Sequence, residues 1–104
     1  MAFPAERSRR LRRTPALRGL ARETRLSASS LVLPLFVREG ISAPVAIPSL
    51  PEHRQETVDS TGVVVEQALT AGLRAVLLFG VPARKDALGS EAWNDGGIVQ
   101  SALR

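Results

Sequence analysis

The chain contains no cysteine and no tyrosine, one histidine, one lysine and few aromatic side chains. Without cysteine there is neither a disulfide framework nor a thiolate metal site. A single histidine, His53, has no second histidine at ligand spacing, so it reads as a surface loop residue and not as a metal ligand. The aromatic residues, Phe3, Phe36, Phe79 and Trp93, are too scattered to form a stacking platform for single-stranded nucleic acid. No apolar run approaches the roughly 18 residues that a membrane span requires. The basic start is not followed by the apolar stretch of a secretory signal, and Glu6, Glu23 and several prolines speak against an organelle transit peptide. The expected location is therefore the cytoplasm.

Charge is unevenly distributed along the 104 residues. Up to Arg25 there are eight arginines and two acids, a balance of +6; the rest holds six bases and eight acids, a balance of −2. A basic arm precedes a mildly acidic body. Such arms bind nucleic acid or an acidic surface on a partner subunit. Residues 1–14 show no apolar periodicity and are expected to be extended. A short helix is expected from Pro15, capped by Thr14, with Leu17, Leu20 and Ala21 on one face and Gly19 weakening it. Leu11, Leu17 and Leu20 favour docking of the arm on protein over neutralising phosphates.

Two continuous apolar runs of strand length follow, at 31–37 and 75–79. Runs without polar alternation belong to strands covered on both faces, as in parallel sheets. Pro34 lies inside the first run and predicts irregular hydrogen bonding there. Between the runs, Pro44, Pro48 and Pro51 suggest a long ordered loop over 41–56. A helix is expected over 58–71, with Val58, Val65, Ala68 and Leu69 inward, Gly62 as a local weakness and Gly72 as its stop. A polar loop spans 83–95, and Asp95 is the expected cap of a third helix starting at Gly97. The βαβα order predicts an α/β fold with right-handed crossovers. Two strands and about two helices cannot cover both faces of such a sheet, so the chain reads as unfinished.

Candidate functional residues are sparse. Lys85, the only lysine, lies between Arg84 and Asp86 in a polar loop, a poor setting for a reactive amine. Glu39 and Glu66 are too isolated to form a carboxylate pair. Gly80, Gly96 and Gly97 do not match a phosphate-binding glycine pattern. The loop after 75–79 leaves the strand end where barrel enzymes keep their sites. Asp86, Ser90 and Trp93 are therefore the residues placed to border a pocket, with packing or turn capping the plainer role for Trp93.

Several blocks resemble the opening of the δ-aminolevulinic acid dehydratase (porphobilinogen synthase) family. They are Arg9-Arg10-Leu11-Arg12-Arg13, the run from Leu31 through Leu-Pro-Leu-Phe-Val to Gly40, and Pro48-Ser49-Leu50-Pro51. Further on come Leu77-Leu-Phe-Gly-Val-Pro82, Lys85-Asp86, Gly89-Ser90, Ala92 and Gly97-Ile-Val-Gln100. Glu52 departs from the pattern, where the family usually has glycine, as do Gly62 and Gly96. The resemblance implies the first two β/α units of a (β/α)8 TIM barrel over 30–104, preceded by a basic oligomerisation arm over 1–29. It also implies a lyase of haem biosynthesis that condenses two 5-aminolevulinate molecules through Schiff-base lysines with zinc or magnesium. Those lysines and the metal ligands would lie beyond residue 104, so no catalytic, cofactor-binding or metal residue is assigned here. A nucleic-acid-binding arm, or another Schiff-base barrel lyase, is the alternative.

Overall fold

A computed structural model describes Ala5 and residues 9–104. The parts of the arm at 1–4 and 6–8, expected to be extended, lie outside the described residues. Where the arm is described it is not wholly extended. Arg10–Arg12 form a 3-10 turn, and the Arg18 guanidinium donates to Arg12 O at 3.0 Å. Helix α1 (Pro15–Ala21) starts as its sequence dictates: Pro15 occupies the first turn and Thr14 Oγ1 accepts from Leu17 N–H at 3.2 Å. A second 3-10 turn, Ala28–Ser30, leads into the sheet.

Among the described residues the sheet has four strands where two were expected. β1 (Val32–Arg38), β2 (Val45–Ala46), β3 (Arg54–Glu56) and β4 (Ala75–Val81) lie in the order β2-β3-β1-β4. The 41–56 segment is thus not only loop: its prolines confine pairing to short pieces, and β3 still joins β1 in parallel at Phe36↔Gln55 and Val37↔Glu56. β2 returns antiparallel on β3. β1 and β4 pair in parallel without a break from Val32↔Ala75 to Arg38↔Val81, so Pro34 does not disturb this ladder. Backbone groups alternate between the two edges of a strand. Because Glu39 N–H points at Val81 O, the Pro34 nitrogen faces the opposite edge, where β3 pairs only from Phe36 onward. The missing donor costs no ladder bond.

Helix α2 (Val58–Thr70) begins at a capping box: Thr57 Oγ1 accepts from Ser60 N–H at 3.0 Å and Ser60 Oγ accepts from Thr57 N–H at 2.9 Å. It ends at Gly72, which takes φ +94° while Gly72 N–H donates to Leu69 O and Leu73 N–H to Ala68 O. That pair of bonds is the Schellman stop that glycine permits. The inward face differs from the expected one. Thr61 and Ala68 are buried, whereas Val58 and Leu69 are exposed. Thr61 is tolerated inside because its hydroxyl donates to Thr57 O at 2.7 Å. Helix α3 (Ile98–Leu103) has Gly97 at its N-cap, not Asp95.

Both sheet-covering helices lie on one face. Leu35 and Val37 of β1 are buried there with Ala68 of α2, and Gly80 faces α3 so closely that a Cβ would come within 2.6 Å of Val99. The other face carries Phe36 stacked on Phe79, with ring centroids 5.4 Å apart. It remains open: Leu77 is 51 % and Phe79 45 % exposed. The accessible surface is 8544 Å², against about 5,700 Å² for a compact chain of this mass, and the radius of gyration is 21.4 Å, against about 13 Å. The described core is thin. Glu52 adds a local cost as the only non-glycine among the described residues with positive φ, +69°, a conformation of order 1–2 kcal/mol unfavourable for a side chain with a Cβ. These 104 residues by themselves are expected to show no cooperative melt by circular dichroism; a sharp, reversible, monomeric transition would overturn that.

Candidate functional site

Parallel sheets place their sites where strand ends meet the following loops. At this edge β1, β3 and β4 deliver Arg38, Glu56 and Val81 side by side. Arg38 Nη1 donates to Gln55 Oε1 at 3.0 Å. Glu39 N–H donates to Val81 O at 2.9 Å, and Glu39 Oε2 accepts from Ala83 N–H at 2.9 Å. Glu56 is buried but satisfied: Arg54 Nε lies 3.2 Å away and Ser60 Oγ donates to it at 2.6 Å. Sequence reasoning missed Glu56, because the usual capping-box signal has Glu or Gln where Ser60 stands.

The loop from Ala83 to Gly97 is tied by short polar side chains. Asp86 Oδ1 accepts from Leu88 N–H at 3.1 Å and Ser90 N–H at 3.0 Å, while Oδ2 accepts from the Ser90 hydroxyl. The Ser90 hydroxyl, followed by the backbone N–H of Ser90, holds the Asp86 carboxyl below its usual value of 3.8 against an opposing desolvation. Further along, Asn94 Oδ1 accepts from Gly96 N–H at 2.9 Å. Gly97 is buried against this turn, and a Cβ there would lie 2.8 Å from Glu91 O and 3.0 Å from Asn94 O. The three glycines singled out in the sequence thus serve close approach and turning: Gly80 lies under α3, Gly96 in the Asn94 turn and Gly97 at the helix start.

Between this loop and α3 lies a cavity of about 440 Å³, bordered by Pro82, Arg84, Lys85, Asp86, Ser90 and Val99 among others. Its wall also holds Gln100, whose Nε2 donates to Ala92 O at 2.8 Å while Oε1 is buried without a partner. Asp86 and Ser90 therefore meet at a cavity wall. Trp93 does not line it and is 65 % exposed. Lys85 stands exposed in the loop. His53 borders a smaller cavity of about 200 Å³ beside Glu56. Glu66 is on the exposed side of α2, away from the strand-end edge that carries Glu39. Among the described residues no group of three or more His, Cys, Asp or Glu could hold a metal ion.

A mixed α/β unit with parallel strands, helices on one face and loops gathered at the strand ends belongs to the class of βα-repeat folds, in which sites form on that edge. The family described as Delta-aminolevulinic acid dehydratase matches residues 5–104, and the chain belongs to that family. It is 45 % identical over 105 residues to the Delta-aminolevulinic acid dehydratase of Streptomyces coelicolor, covering 99 % of this chain and 32 % of that relative. The corresponding protein of Halalkalibacterium halodurans is 44 % identical over 99 residues, covering 95 % of this chain and 30 % of the relative. A crystal structure of the Toxoplasma gondii ME49 delta-aminolevulinic acid dehydratase (porphobilinogen synthase) in complex with the reaction product porphobilinogen superposes with TM-score 0.85 at 31 % identity. That match covers 94 % of this chain and 28 % of the other. The chain thus spans about a third of the length of the relatives it matches.

Since Asp86 is held as a carboxylate by Ser90, the order it confers on the loop is complete above its usual value of 3.8 and is lost as pH falls through the lowered one. Carboxyl ¹³C NMR should show Asp86 titrating below 3.8 and Ser90→Ala returning it toward that value. An unmoved titration in Ser90→Ala would remove the serine as the cause.

Proposed function

We propose that this chain is the opening third of an enzyme that condenses two molecules of 5-aminolevulinate to porphobilinogen with loss of water, a step of tetrapyrrole and haem synthesis. One observation carries the reading: sequence and backbone both follow the family, over residues 5–104 and over 94 % of the chain respectively. In this reading residues 1–29 are an oligomerisation arm and residues 30–104 begin a (β/α)8 barrel, which needs about 250 residues in all. The open Phe36–Phe79 face is then the inner wall of that barrel. Residues 83–97, on the catalytic edge, form part of the wall that encloses substrate.

No catalytic residue is assigned to this stretch. Schiff-base chemistry needs a lysine in a dry enclosure, and the single lysine, Lys85, is exposed. Zinc or magnesium is the metal proposed for the intact enzyme; among the described residues no group of three or more His, Cys, Asp or Glu could hold it. The cytoplasm is the proposed location; among the described residues no helix is long and apolar enough to cross a membrane.

The arm is proposed to dock on a second copy of the protein. Leu11, Leu20 and Leu26 are 61 %, 79 % and 88 % exposed among the arginines, an apolar complement that phosphate binding does not use. Deleting residues 1–14 from the intact enzyme should reduce its size on gel filtration; steep salt-dependent binding of a DNA or RNA duplex by the arm would instead favour the nucleic-acid reading.

The enzymatic reading is tested by joining residues 1–104 to the remainder of the Streptomyces coelicolor relative. The joined protein is expected to form porphobilinogen from 5-aminolevulinate and to rescue a haem auxotroph, and residues 1–104 alone to do neither. A soluble, abundant but inactive joined protein would sink the assignment.

A further inference from the structure

Arg38 and Glu39 leave the end of β1 toward opposite neighbours. Arg38 reaches Gln55 on β3 at 3.0 Å. Glu39 turns the other way and holds the chain on both sides of Pro82, donating from its N–H to Val81 O and accepting at its carboxylate from Ala83 N–H, each at 2.9 Å. Pro82 between them has no N–H to give and a φ fixed near about −65°, so the direction of exit from β4 is set by these two bonds. The carboxylate bond joins residues 44 apart in sequence. The next longest side-chain hydrogen bond among the described residues joins residues 17 apart. Within the loop the other side-chain ties are local, at Asp86 and Asn94, or run to α3 through Gln100, Ser101 and Arg104. Among the described residues, only Glu39 connects the loop to the end of the sheet by a side-chain hydrogen bond.

Glu39 is exposed, and a hydrogen bond in contact with water adds little to global stability. Its consequence is local. It decides where the segment that carries Asp86 and Ser90 starts, and a small displacement there moves a wall of the strand-end edge.

We propose that Glu39 is a positioning residue: its grip on Val81 and Ala83 on either side of Pro82 sets where the 83–97 loop leaves the sheet, and so where that loop meets substrate. The substrate half of this inference rests on the reading of the chain as part of a porphobilinogen-forming enzyme. Glu39 touches no reacting atom and acts only through the loop.

The test uses the joined enzyme described above, unsubstituted and as Glu39→Ala and Glu39→Gln. Initial rates on 5-aminolevulinate are measured beside limited trypsin cleavage after Arg84 and Lys85, which lie inside the loop. Glu39→Ala is expected to raise KM about fivefold, the worth of one net hydrogen bond, with kcat and thermal midpoint nearly unchanged. Loop cleavage should quicken by a similar factor. Glu39→Gln keeps an oxygen that accepts from Ala83 N–H and should restore both. If Glu39→Ala does not fold, Glu39→Asp, one methylene too short to reach, takes its place with the same expectation. A lowered kcat at unchanged KM and unchanged cleavage overturns the proposal, as does a Glu39→Gln no better than Glu39→Ala. An unsubstituted joined enzyme without activity counts against the enzymatic reading alone, and the cleavage comparison still decides whether Glu39 positions the loop.

Discussion

Seven residues of β1 lie in unbroken parallel register with seven of β4, from Val32↔Ala75 to Arg38↔Val81. Parallel pairing requires a crossover, and α2 supplies it by lying across the face where Leu35 and Val37 are buried. The same register brings Gly80 under α3, Phe36 onto Phe79 and Glu39 beside the chain leaving β4. A shift of one residue would turn Leu35 and Val37 to the open face and move the Glu39 carboxylate away from Ala83. Everything at the strand-end edge therefore depends on this one ladder.

The two faces of the sheet are asymmetric for a reason legible in the side chains. On the helix side, small residues allow close approach: Ala68 on α2 and Gly80 on β4 let the helices settle against Leu35 and Val37. On the other side, Leu77 and Phe79 are large and still exposed, and Phe36 is half-buried. A face of that size and apolarity is costly in water, at about 25 cal/mol per Å². Its enclosure by further strands is what membership of a barrel-forming family would provide.

Polar groups at the edge follow a different logic, that of satisfied hydrogen bonds. Glu56 is buried but meets Arg54 and Ser60. Asp86 spends its acceptors on the backbone of its own loop, which makes it an organiser of the cavity wall. Among the described residues, Gln100 Oε1 is the one side-chain atom buried without a partner. The departures from the family pattern are likewise local. Glu52 takes a conformation suited to glycine, and Gly62 lies on the exposed side of α2 with open space around it.

By itself the sequence determined the start of α1, the stop of α2, the two long strands and the family. Pro15 after Thr14, Gly72 after an apolar period and uninterrupted aliphatic runs are local signals, and local backbone preference acts on them directly. Blocks such as Leu-Pro-Leu-Phe-Val and Phe-Gly-Val-Pro carried the family by their order. Tertiary structure alone decided the rest. β3 is a three-residue strand of Arg, Gln and Glu that exists because β1 offers it a free edge. Thr61 instead of Leu69 faces inward because its hydroxyl finds Thr57 O. Pro34 is harmless because its nitrogen lies on the edge that β3 has not yet reached. Glu39 and Ala83 meet across 44 residues, a separation that no local pattern spans, because parallel pairing places the ends of β1 and β4 together.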